Sequence, residues 1–126
     1  MITPLYAAIA ALIFVVLSFR ALLLRRRLGI AIGTGGNQKM ARAIGVHSNF
    51  AQYTPIALLL IYFLETRINT PILIHILCVC LIIGRLLHAY GVSQVEENFR
   101  FRVGGMILTL GCIISTSAKI IVSYAI

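Results

Sequence analysis

Four long apolar stretches, at about 4–24, 40–64, 71–89 and 103–124, limit what this chain can fold into. A helix of about 20 apolar residues crosses the hydrocarbon core of a bilayer, and each stretch is long enough. The bilayer core offers no water to the backbone, so such segments must be helices that satisfy their own N–H and C=O groups. The expected fold is all-α: a single transmembrane four-helix bundle over residues 1–126. Composition opposes a water-soluble globule. Charged residues make up 11% of the chain, against about 25% in soluble domains. The mean hydropathy is +1.01, and so short a chain has too much surface to hide that much apolar side chain.

The connections are unequal. RRRLGIAIGTGGNQK (25–39) is basic and glycine-rich, ETRINT (65–70) is a tight turn, and GVSQVEENFRFR (91–102) is polar and charged. Six of the eleven Lys and Arg residues fall between Arg20 and Arg42, and three between Arg85 and Arg102. The positive-inside bias then places loops one and three in the cytoplasm and both termini outside. The basic residues follow the first apolar stretch instead of preceding it, so a retained helix is expected, not a cleaved signal peptide. The net charge of +8 sits mainly at these ends. No basic stripe with interleaved aromatics accompanies it, so no nucleic-acid partner is expected. Cys78, Cys80 and Cys112 lie in apolar runs with no metal-ligand spacing. Cys78 and Cys80 point in different directions on a helix and do not bridge easily. No metal is expected.

The polar residues within the second stretch need an explanation. At 100° per residue, Arg42, Gly45, Asn49, Gln52, Tyr53 and Ile56 share one broad helix face. That face is polar up to Pro55, whereas His47 points toward a different neighbour. Intramembrane polar groups face a bundle interior or a wet cavity, and they also hydrogen-bond helices together. Both readings are open for this face. The third stretch ends in GRLLHAYG, where Arg85 and His88 stand one turn apart on one face, at the depth of the polar face of the second stretch. Arg102 is the last charge before the fourth stretch. It either flanks a helix or holds a guanidinium at the mouth of the polar region, where it could bind an anion or favour a thiolate. GTGGNQ lacks the Lys-Ser/Thr ending of a P-loop. It reads as flexible punctuation, with Asn37 as a candidate N-cap. Gly104, Gly111, Ser115 and Ala118 form a small-residue side of the fourth stretch, expected to pack closely. The acids Glu65, Glu96 and Glu97 lie in loops or at a helix end, which argues against a small multidrug-type carrier relying on an intramembrane carboxylate.

IGTGG, Arg42, HSNFAQYTP and GRLLHAYG together resemble the bacterial branch of the MAPEG family, the membrane-associated proteins in eicosanoid and glutathione metabolism. The resemblance covers nearly the whole chain. It implies a homotrimer of four-helix bundles in a bacterial inner membrane. It also implies glutathione as cosubstrate near the cytoplasmic face and a lipophilic electrophile arriving from the lipid. Arg102 matches the arginine that activates the glutathione thiol, with Arg100 as the fallback. Arg42, His47, Asn49, Gln52, Tyr53, Arg85 and His88 match positions lining the ligand. Three positions depart from the pattern: Gln52 replaces a glutamate, Gly45 an arginine and Val92 a tyrosine. The resemblance therefore implies either a glutathione transferase or peroxidase, or a catalytically silent relative binding another anionic or lipid ligand.

Overall fold

The computed structural model describes all residues, Met1–Ile126. Four helices form: α1 (Thr3–Leu28), α2 (Gln38–Arg67), α3 (Pro71–Ser93) and α4 (Phe99–Ala125). Local chemistry sets their ends. Prolines stand in the first turns of α1 and α3, where the missing N–H would have no helical partner anyway. Asn37 caps α2 by accepting the Met40 N–H at 3.0 Å, and Asn98 caps α4 by accepting the Arg100 N–H at 3.1 Å. Gly29 ends α1 in the left-handed region with φ +64°. Gly33, Gly35 and Gly36 follow in the same region, which L side chains rarely adopt. The IGTGG run is thus a defined left-handed turn sequence, more specific than flexible punctuation.

The helices overrun their apolar stretches. α1 continues through Arg25, Arg26 and Arg27, and α4 begins at Phe99, so Arg100 and Arg102 belong to its first turn and not to a loop. Three helices, α1, α3 and α4, are long and apolar enough to cross a membrane. α2 has 30 residues, or about 45 Å of helix, and carries its polar residues in its first half.

Core positions repeat at spacings of three and four. On α3 they are Ile74, Leu77, Cys78, Leu81, Gly84, Arg85, His88, Gly91 and Val92. On α4 they are Gly105, Thr109, Cys112 and Thr116. This is the repeat of helices packed in a left-handed bundle. α3 and α4 form the most extensive pair, whereas α1 lies against α2 and the edge of α3 and does not touch α4. The α3–α4 contact depends on absent side chains. A Cβ at Gly105 would lie 2.5 Å from the Gly84 carbonyl oxygen and 2.6 Å from the His88 amide nitrogen. A Cβ at Gly91 would lie 2.7 Å from the Arg102 nitrogen. The small-residue side expected to pack is the neighbouring one: Gly104 and Gly111 have nothing within 4 Å of an added Cβ, and Ser115 and Ala118 are exposed. The two stripes lie one residue apart, and helical period alone does not distinguish them.

At the opposite end from loops one and three, Glu65 of α2 reaches the start of α1. Its carboxylate accepts the Ile2 N–H and, at 2.9 Å, the Thr3 N–H. α1 has no side-chain cap of its own and no acid in its first turn, so Glu65 serves both needs from 62 residues away. Arg67 braces the same end, with its guanidinium 3.9 Å from the Tyr124 ring centroid and a 2.8 Å bond to the Ser123 carbonyl.

Gly105→Ala should destabilise the purified protein by about 1–3 kcal/mol through overpacking against backbone. Gly111→Ala should be neutral or stabilising by up to about 1 kcal/mol through helix propensity. Thermal unfolding of both variants in one detergent checks the contrast, and equal losses would contradict it. Glu65→Ala should cost about 1–3 kcal/mol and increase hydrogen exchange in the first turn of α1 more than anywhere else.

Candidate functional site

The sequence places an arginine, Arg85, on the buried face of a helix that is otherwise apolar, and the structure buries it to 1% exposure. Two helices, α2 and α4, supply its partners. Nε donates to Thr109 Oγ1 of α4 at 3.0 Å, Nη1 to Asn49 Oδ1 of α2 at 2.5 Å, and Nη2 to Met106 Sδ of α4 at 3.2 Å. The guanidinium carbon lies 5.6 Å from the Tyr53 ring centroid, within cation–π range. Thr109 Oγ1 is itself oriented by donating to the Gly105 carbonyl at 2.8 Å. All these partners are neutral, and no carboxylate pairs with Arg85. A desolvated cation with only neutral neighbours is an electrostatic demand for an anion.

A second cluster lies toward the loop-three end. Glu97 is almost wholly buried between two arginines: one carboxylate oxygen is 3.0 Å from Arg42 Nη1 and the other 3.5 Å from Arg102 Nη1. Arg42 Nη1 also donates to the Val92 carbonyl at 2.9 Å. Its Nε is buried without a partner. The Arg102 side chain is half exposed, so one flank stays open. His88 is buried on α3 one turn beyond Arg85, with its backbone against Gly105.

The expected site residues therefore divide. Asn49, Tyr53 and Arg85 come together, and Arg42 meets Arg102 through Glu97. His47 faces α1 instead: its Nε2 is 3.0 Å from Ser18 Oγ, and its ring stacks on Phe14 at 4.7 Å. Gln52 and Arg100 are exposed on the single chain. Gly45 is exposed too, and an added Cβ there would meet nothing within 4 Å. Sequence reasoning missed Glu97, Thr109 and Met106. Thr109 was within reach, since it stands seven residues, two turns, after Arg102 on the same face. Glu97 gave no such signal, because a loop residue has no period. No three His, Cys, Asp or Glu side chains gather closely enough to hold a metal ion.

The sequence model of the MAPEG family matches residues 3–122. The chain is 37% identical over 109 residues to the inner membrane protein YecN of Escherichia coli strain K12, covering 86% of this chain and 82% of YecN. The same figures hold for YecN of Escherichia coli O6:H1. With its apolar helices and a match over almost its whole length, this chain is an integral membrane protein that belongs to the MAPEG family.

Proposed function

We propose that this protein is a glutathione-dependent transferase or peroxidase of a bacterial inner membrane, acting as a homotrimer on lipophilic electrophiles. The observation that carries the reading is Arg85: a buried guanidinium on neutral partners, facing Asn49 and Tyr53. Such a site favours an anionic ligand, and family membership makes glutathione the first candidate. Arg102, open on one flank at the rim, is the group that would hold the sulfur as a thiolate, with its proton released to water. In conjugation the thiolate forms a carbon–sulfur bond as the leaving group departs. In peroxide reduction two glutathiones become the disulfide, and the hydroperoxide becomes an alcohol and water. The uncovered small-residue side of α4 is a surface that suits packing of further subunits. Both termini lie outside the cytoplasm in this reading, on the charge bias of the loops.

Glu97 enters the mechanism as a competitor. Its carboxylate already occupies Arg42 and Arg102, so Arg102 can serve a thiolate only in part until that bridge loosens. A second reading draws support from the missing charges: with Gly45 and Gln52 in place, the scaffold would bind a different anionic or lipid ligand without catalysis.

Three measurements on reconstituted protein address these readings. Calorimetric titration with glutathione, paired with a conjugation assay, tests the first; a folded trimer that binds nothing at millimolar glutathione ends it. Arg102→Ala should lower turnover on the order of 100-fold, as removal of one electrostatic stabiliser of a developing anion does, while Glu97→Gln should tighten glutathione binding. Gly45→Arg with Gln52→Glu should strengthen binding by roughly tenfold or more per restored charged contact. An unchanged affinity in that double variant would show that the missing charges are not what limits binding.

A further inference from the structure

We propose that a pocket at the basic end of α1 binds the phosphate headgroup of an anionic phospholipid. The pocket has a volume of about 360 Å³, within the range of small-ligand sites, roughly 300–1,000 Å³. Arg20, Arg27 and Lys39 line it, with Leu23, Leu24 and Val95 as its apolar wall. Arg20 and Arg27 are two turns apart on one side of α1, and Lys39 comes from the first turn of α2.

These three cations, from two helices, line one cavity. Arg20 Nη1 is held by Ser93 Oγ of α3 at 2.7 Å, which fixes the guanidinium and leaves further N–H donors for a phosphate oxygen. Arg25 is occupied elsewhere, bonded to the Gly33 carbonyl at 2.8 Å. No acid neutralises the pocket. The chain has three acidic residues: Glu65 serves the far end of the bundle, Glu97 bridges Arg42 and Arg102, and Glu96 makes no ion pair. Three cations facing one cavity without a carboxylate select an anion.

The apolar side of the pocket indicates a lipid over free phosphate. Leu23 heads an exposed stripe of Phe19, Val16 and Leu12, spaced at three and four residues along one side of α1. An amphiphile with its phosphate among the cations can lay an acyl chain down this stripe. Basic pockets between membrane helices at the water boundary take anionic headgroups by this chemistry. The site shares no residue with the Arg85 cluster, so it stands whether or not glutathione binds.

Native mass spectrometry in a mild detergent tests this, with equimolar phosphatidylglycerol and phosphatidylcholine competing for the wild-type chain. Phosphatidylglycerol should be retained preferentially. Arg27→Ala/Lys39→Ala should weaken its binding roughly 30-fold, from the contribution of two interfacial cations. Arg26→Ala/Lys119→Ala removes equal charge from outside the pocket and should leave retention unchanged. Thermal shift on adding each lipid supplies a second readout on folded protein, with stabilisation by phosphatidylglycerol in all but the pocket variant. Equal retention of the two lipids, or full retention by the pocket variant, would overturn the site. Displacement of phosphatidylglycerol by millimolar inorganic phosphate would overturn the lipid assignment in favour of a soluble anion.

Discussion

The close approach of α3 and α4 at Gly84 and Gly105 governs the arrangement of everything polar in this bundle. Lipid tails are as apolar as leucine side chains, so helices gain little by hiding from them, and contact at short range must supply the association. With no Cβ at Gly105 or Gly91, backbone meets backbone. The register this fixes sets Thr109 and Met106 beside Arg85, and Arg102 beside the α3 end near Val92. A shift of α4 by one turn, about 5.4 Å, would carry Thr109 and Met106 away from the guanidinium.

Charge is distributed sparingly, and two of the three acids have a structural task. Glu65 holds a helix start and Glu97 holds two arginines from two helices. Arg85 alone is buried without an acid. Its neutral partners saturate much of its hydrogen bonding but not its charge. Hydrogen-bonded yet uncompensated, it is held in one orientation while its field still favours an anion.

Much of this could be read in the sequence. The apolar lengths specify the helices, Asn37 caps α2 as its type and place suggest, and the geometry of α2 separates His47 from Asn49 and Tyr53. The family motifs identify the fold. The rest is decided by contacts between distant segments. Two small-residue stripes on α4 have the same period, and only the facing glycines on α3 determine which one is inside. Glu97 and Glu65 act on residues 55 and 62 positions away, and no local pattern marks them. α2 looked long and apolar enough to span alone, but it carries its polarity where α3 and α4 can shelter it.

The Glu65 contact also ties together two chain segments that the sequence holds far apart. α1 is made first, yet the carboxylate that holds its opening N–H groups belongs to the far end of α2. Without that carboxylate the first turn of α1 has no cap from its own sequence. Glu65 closes the hairpin of α1 and α2 like a clasp, joining the start of the first helix to the end of the second. α3 and α4, joined by their own glycines, need no such fastening. The protein thus has one half fastened by a carboxylate and one locked by close-packed glycines, and the polar face of α2 lies between them.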